Sequence, residues 1–497
     1  MQLVLILFGV SVICELLSEF IASGLLRRIF GGIAIITLSF SSTGIALEYS
    51  NLVSALFFIV SFYRGINIVR VAAGRVSVQN LRRVAPITSF WLIASQILLA
   101  VILHIAASHT LNGSGWWLLF AYVQLCFAAV LLLLTIFHMR GTESDWNVKK
   151  IDDTKLPTVT VAIPARNEDS QLEQCLESIL ASDYPKLEVI VLDDCSQDRT
   201  SEIIRKFAHD GVRFISGENP RKNWLAKNQA YEQLFKESSG SIILFCGVDV
   251  RFEHQTLRLL VSTFVQKHKF MVSVLPINTQ NGFSMAQSFR YIWELVPPRT
   301  LIRRPPVLST CWLINRDALR SLGGFKGVSN MITPEAYFAR QIQSQGSYLF
   351  VRSGKRLGLT SGKQFSDQFD TSLRVRYPQT HRRPEYVALT SLVELLLLAM
   401  PFSFAFVGLF SFANAIAFEF VTIVTCVLYI AMYSTICFSQ FKGNRWKFVL
   451  SFPVAVLFDV ALLNYSMIKY EFSEVVWKGR NVCMPVMQVT PKLPKID

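Results

Sequence analysis

The chain has 497 residues, of which 52% are hydrophobic and only 17% charged, with mean hydropathy +0.38 and net charge +14. Those values exclude a disordered or purely soluble protein and point to an integral membrane protein with room for one globular domain. The basic residues are spread along the chain without a recognition motif, which argues against nucleic acid. Loops beside an anionic leaflet, or an anionic substrate such as a nucleotide diphosphate, account for them.

Apolar segments come first. A bilayer core about 30 Å thick needs roughly 20 apolar residues per helix. Five segments approach that length, at 3–25, 30–47, 52–73, 87–107 and 116–137. The first follows Met1 without a basic stretch and reads as a span rather than a cleavable signal. Arg27 and Arg28 follow it, and Arg70, Arg75, Arg82 and Arg83 lie between the third and fourth, whereas the links at 48–51 and 109–115 carry no Lys or Arg. This alternation predicts an outside N-terminus and a cytoplasmic domain at 139–386 between two transmembrane bundles, 1–138 and 387–470.

Three further apolar segments lie at 387–410, 413–438 and 448–468. Three crossings would leave the tail, 471–497, outside, yet Lys469, Lys478, Arg480, Lys492 and Lys495 mark it as inside. One of the three is therefore expected to lie in the interface or to re-enter. Glu15, Glu19, Arg64 and Asp459 fall within apolar segments, either as functional groups or as partners within the bundle. The nine cysteines form no C-x-x-C pair and read as reduced thiols.

Between the bundles the pattern changes to alternating strands and helices. A short apolar run at 159–163 ends on Pro164-Ala165-Arg166-Asn167-Glu168. Leu172, Cys175, Leu176, Ile179 and Leu180 follow at helical spacing. A second run at 189–192 closes on Asp193-Asp194-Cys195-Ser196-Gln197-Asp198, and others lie at 212–215, 241–245 and 270–274. This rhythm predicts an α/β domain with a mostly parallel sheet. Polar residues at the carboxyl ends of adjacent parallel strands are where such sheets bind ligands.

The residues Pro164-Ala165-Arg166-Asn167-Glu168, Asp193-Asp194 with Ser196, Asp198 and Thr200, Lys227-Asn228 with Ala230, Asp249, Gly323-Gly324-Phe325, Pro334-Glu335 and Leu373-Arg374-Val375-Arg376-Tyr377 follow one another in an order that resembles family 2 glycosyltransferases of the GT-A, Rossmann-like fold. The resemblance covers 157–386, about half the chain. The Arg-Val-Arg-Tyr segment and Trp477-Lys478-Gly479-Arg480 look like the membrane-bound subset that glycosylates lipids, including ceramide glucosyltransferase-like members.

The resemblance implies a nucleotide site built from Pro164, Arg166, Glu168, Asp193 and Asp194, with Lys227 and Arg376 on the diphosphate. It implies Asp249 as ligand of Mg²⁺ or Mn²⁺, Glu335 as the base that deprotonates the acceptor hydroxyl, and Tyr377 on the acceptor side. Each role has a plainer counterpart. Asp194 or Ser196 can cap the helix that starts near Thr200, Lys227 can face solvent, and Pro334-Glu335 also makes a good helix start. Arg376 can belong to a basic stretch at the membrane surface. Two departures stand out: Gly247 replaces the first acid of the family's Asp-x-Asp, and Leu373 replaces the Gln of the processive pattern.

The expected function is a multi-pass enzyme of a plasma membrane, bacterial in type. It moves one sugar from a nucleotide sugar, UDP-linked, to a lipid or lipid-linked acceptor at the cytoplasmic leaflet, with inversion. The alternatives are a processive polysaccharide synthase and a weakened, nucleotide-sugar-binding membrane scaffold.

Overall fold

The computed structural model describes the chain except residues 1, 22, 49–51, 74–86, 101–112, 143–145, 147–150, 280–288, 293–294, 297–304, 409–415, 444 and 483–497. Arg75, Arg82 and Arg83, most of the two uncharged links, the end of the fourth segment, Lys492 and Lys495 therefore lie outside the described residues.

Five N-terminal helices are described: α1 (Gln2–Phe20), α2 (Gly24–Glu48), α3 (Leu52–Ala73), α4 (Ile87–Ala100) and α5 (Gly113–Thr142). Among the described helices six are long and apolar enough to cross a membrane: three before the α/β domain, within α2, α3 and α5, and three after it, Pro384–Phe406, Ile416–Gln440 and Phe452–Phe472. Charges of the first and third helices meet inside the bundle, while Arg70 of α3 reaches Glu471 at the end of the chain's last apolar helix. Glu15 pairs with Arg64, which also donates to Gln96 Oε1 at 2.9 Å, and Ser89 Oγ bridges Glu15 and Glu19 at 2.5 Å each. Buried charge is costly unless partnered, and these groups find partners within the bundle.

The α/β domain has a seven-stranded sheet in the order β3-β2-β1-β4-β8-β6-β9. Its strands are β1 (Val159–Ala165), β2 (Leu187–Asp193), β3 (Val212–Ser216), β4 (Ile242–Cys246), β6 (Met271–Leu275), β8 (Cys311–Asn315) and β9 (Tyr348–Arg352). A second, three-stranded sheet pairs β5 (Val250–Arg251), β10 (Thr360–Ser361) and β7 (Ile277–Asn278). Only β8 runs against its neighbours in the large sheet, pairing Cys246 with Cys311. All five strands expected from the sequence are present. This mostly parallel sheet, covered by helices and set between apolar helices, is the GT-A fold. The eight described cysteines are all free thiols.

The Gly323-Gly324-Phe325 turn needs its glycines, with φ of +82° and +61°. A Cβ on Gly324 would stand 2.8 Å from Glu232 Oε2, the atom that accepts the Phe325 amide at 3.0 Å. Phe325 thereby enters an aromatic cluster with Trp312, Tyr231 and Phe338, and that cluster seats the helix Pro334–Gln343.

The helix Phe452–Phe472 packs against the domain helix Phe365–Gln379 through Phe458, Tyr465, Ser466 and Tyr470. Just before it, Lys442 N donates to Asn278 O of β7 at 2.8 Å. Just after it, Lys478 and Arg480 bind the loops beyond β1 and β2. Both flanks of the last apolar helix thus touch the α/β domain.

Gly324→Ala should lower stability by about 1–3 kcal/mol, because it adds a left-handed φ penalty to a close contact. A thermal melt of the detergent-solubilised protein checks this, and an unchanged Tm would contradict it.

Candidate active site

A cavity opens where β1 and β4 end. Its floor is Pro164, Ala165, Cys246 and Gly247, and its wall includes the helix Phe365–Gln379, which presents Asp367, Gln368, Thr371, Ser372 and Arg374. Among the described residues, six cationic side chains line it: Arg166, Lys227, Arg290, Lys363, Arg374 and Lys478. The carboxylates that line it are Glu168, Asp194, Asp249 and Asp367. Two of these four already have cationic partners from the C-terminal hairpin Val476–Asn481, as Glu168 pairs with Lys478 and Asp194 takes Arg480 Nη1 on both oxygens at 2.6 and 2.7 Å. Asp249 lies close enough to Lys227 and Lys363 to act on the charge of both.

Asp249 follows β4 in a tight loop. Its Oδ2 accepts from Ser361 Oγ at 2.7 Å, and its carbonyl accepts the Gly362 amide at 2.9 Å. A Cβ on Gly247 would stand 2.6 Å from Asp249 Oδ1. The missing first acid and the posture of Asp249 are therefore one feature, because a side chain at 247 would displace the carboxylate. Among the described residues no three of His, Cys, Asp and Glu gather into a ligand set. A lone carboxylate cannot cage a cation, but it suits Mg²⁺ or Mn²⁺ that takes its remaining ligands from a diphosphate and water.

Arg166 holds the loops together. It donates to the carbonyls of Asp194 (2.5 Å), Cys195 (2.9 Å) and Lys478 (2.9 Å). Burial raises the carboxyl pKa of Glu168 and of Asp194, opposed by Lys478 and Arg480 respectively. Lys227 and Lys363 are both pulled down to about 8 by burial, with Arg374 pushing the same way.

Four expected site residues, Asp193, Arg376, Tyr377 and Glu335, do not line the cavity. Asp193 does not line the cavity, because its carboxylate accepts the Ser196 amide at 3.0 Å and the Ser201 hydroxyl. The helix Thr200–Lys206 has Arg199 at its N-cap and takes no side-chain cap from Asp194 or Ser196; Asp198, just before it, accepts the Thr200 amide at 3.0 Å. Arg376 is buried away from the cavity against Asp459 and Glu394. Tyr377 is fully buried and donates to Glu471 Oε1 at 2.6 Å, so it does not face an acceptor. Arg374 occupies the place expected for Arg376.

Glu335 starts the helix Pro334–Gln343, with Pro334 in its first turn. It is only 2% exposed and lies behind the lining, close enough to Lys227 and Arg374 to act on their charge. Its Oε2 is buried without a hydrogen-bond partner among the described residues. Sequence reading missed Lys363 and Ser361, which carry no motif. Arg374, Lys478 and Arg480 were within quoted segments but without an assigned role.

Residues 160–323 of the chain match the model of glycosyl transferase family 2. The chain is similar to glycosyltransferase AglE of Haloferax volcanii, at 29% identity over 175 residues, 34% of this chain and 56% of that protein. It also resembles the 4,4'-diaponeurosporenoate glycosyltransferase of Staphylococcus haemolyticus, at 31% over 130 residues, 26% of this chain and 34% of that one. The chain thus spans about half or less of the length of these curated relatives. The mannosyltransferase PcManGT from Pyrobaculum calidifontis, solved with GDP-Man and Mn²⁺, aligns with a TM-score of 0.42 at 18% identity, covering 71% of this chain and 98% of that one.

The two arginines separate cleanly by experiment. Arg376→Ala leaves Asp459 and Glu394 buried without their cation and should cost about 3–5 kcal/mol of stability. Arg374→Ala should weaken nucleotide binding about tenfold or more with little change in Tm. The opposite assignment of the two effects would contradict this placement.

Proposed function

We propose that this protein is a membrane-embedded inverting glycosyltransferase that moves one sugar from a UDP-sugar to a lipid or lipid-linked acceptor. The observation that carries the reading is Arg374. It lines the cavity at 7% exposure, and its Nε has no partner among the described residues. A buried guanidinium with an unmet donor, beside Lys227 and Lys363, calls for an anion with several acceptor oxygens.

The chain's own groups then divide the work. Pro164, Arg166, Glu168 and Asp194 frame the nucleoside, and Lys227, Lys363 and Arg374 hold the diphosphate. Asp249, fixed by Ser361, is the residue that would hold Mg²⁺ or Mn²⁺, which when bound neutralises charge on the leaving diphosphate. As the sugar–phosphate bond breaks, negative charge grows on the leaving oxygen, and preplaced cations are worth most at that moment. Glu335 takes the proton of the acceptor hydroxyl through its unpartnered Oε2.

Support for a lipidic acceptor is the shared wall: the helix that lines the cavity packs its other side on an apolar helix long enough to enter a membrane. A membrane location with the catalytic domain on the cytoplasmic face follows from the arginine pattern of the N-terminal links. Transfer of a single sugar is favoured over a processive mode by the absence of Gln at Leu373.

Purified in detergent, the protein should slowly hydrolyse one member of a UDP-sugar panel, and EDTA should abolish this. Asp249→Asn and Glu335→Gln should each cut transfer to the native acceptor about 10²–10⁴-fold. Full activity in either variant would remove that residue from its role.

The donor KM should rise as pH climbs from about 7 to about 9, because Lys227 and Lys363 are cations below their pKa and neutral above it. A flat KM across that window would show that these lysines do not meet the diphosphate.

A further inference from the structure

The helix that supplies Arg374 is not self-sufficient. Pro378 lies inside it and has no N–H, so the Arg374 carbonyl four residues earlier lacks its helical donor. The missing bond comes from outside: Tyr470 Oη, on the apolar helix Phe452–Phe472, donates to the Arg374 carbonyl at 2.7 Å. One turn away Ser466 Oγ joins the same ladder. It donates to the Leu373 carbonyl at 2.5 Å and accepts the Tyr377 amide at 3.2 Å. A hydroxyl set into the ladder and a proline beside it are two of the standard causes of a bent helix.

The turn that carries Arg374 therefore takes its shape from two hydroxyls of a neighbouring helix. Beyond the backbone, the Arg374 guanidinium lies over the Trp477 ring at 4.7 Å. Trp477 follows the same apolar helix by a few residues. Both ends of Arg374 are thus held by the segment 466–477: the backbone by Tyr470 and the guanidinium by Trp477.

We infer that Tyr470 and Ser466 are positioning residues for the donor site: they set the turn that aims Arg374 at the distal phosphate. The apolar helix thereby holds the diphosphate arginine in register. This inference rests on the reading of the cavity as a nucleotide-sugar site with Arg374 on the diphosphate.

Tyr470→Phe is the sharpest test, because it deletes one hydroxyl and keeps the ring that packs on Tyr377 and Arg382. Calorimetry on the full-length protein in detergent, with UDP and UMP as probes, reads the effect. Tyr470→Phe should raise the Kd for UDP about tenfold and that for UMP less than about twofold, since only UDP carries the phosphate that Arg374 meets. In an Arg374→Ala background the same change should add no more than about twofold, as expected for residues acting through one group. Ser466→Ala serves as the second variant and should follow the same pattern.

Equal loss of UDP and UMP affinity, or the full loss repeated without Arg374, would mean a general structural role and overturn the inference. Unchanged UDP affinity in both variants would overturn it too. Absence of any UDP binding by the unmutated protein would instead overturn the nucleotide-sugar reading, and the inference with it.

Discussion

The structure depends on one shared helix. Phe365–Gln379 is a wall of the cavity on one side and a packing surface for the last apolar helix on the other. Pro378 makes that sharing obligatory, because the helix cannot close its own ladder at Arg374. On the side away from the cavity, Arg376 finds Asp459 and Glu394, and Tyr377 finds Glu471. The α/β domain and the apolar helices are joined through buried polar contacts, which specify register where apolar packing alone would tolerate slippage.

Charge balance is the second constraint. Glu168 and Asp194 are met by Lys478 and Arg480 from a hairpin some three hundred residues later in sequence. The lysines near Asp249, by contrast, are held close to neutral pKa by burial and by Arg374. An anion that enters would relieve that mutual repulsion and gain several donors at once. Gly247 fits the same picture, because leaving out one acid frees room for Asp249 and keeps the cleft positive.

Much of the α/β core was legible from local pattern. The runs at 159–163 and 189–192, and 242–245 of the run at 241–245, are fully buried in strands, and such runs announce themselves by continuous apolar residues. β8 was missed because an antiparallel insertion is not encoded in βα rhythm, and β9 was missed although Gly346-Ser347 and Ser353-Gly354 bracket it. The error at Arg376 is more instructive. Asp367, Thr371 and Arg374 recur at helical spacing and share a face, while Arg376 is nine residues from Asp367 and lies on the opposite side. Helical periodicity held the answer, and a linear motif match overrode it. The hairpin contacts of Lys478 and Arg480 were beyond local reading, since nothing in the segment names its partner loops.

The central claim is that an anionic diphosphate sits among Lys227, Lys363 and Arg374 beside Asp249. An experimental structure of the detergent-solubilised protein with UDP and Mg²⁺ tests it most directly. The account predicts density for the distal phosphate within hydrogen-bond reach of Arg374, and a cation on Asp249. A diphosphate bound at Arg376, or a nucleotide outside this cleft, would contradict it.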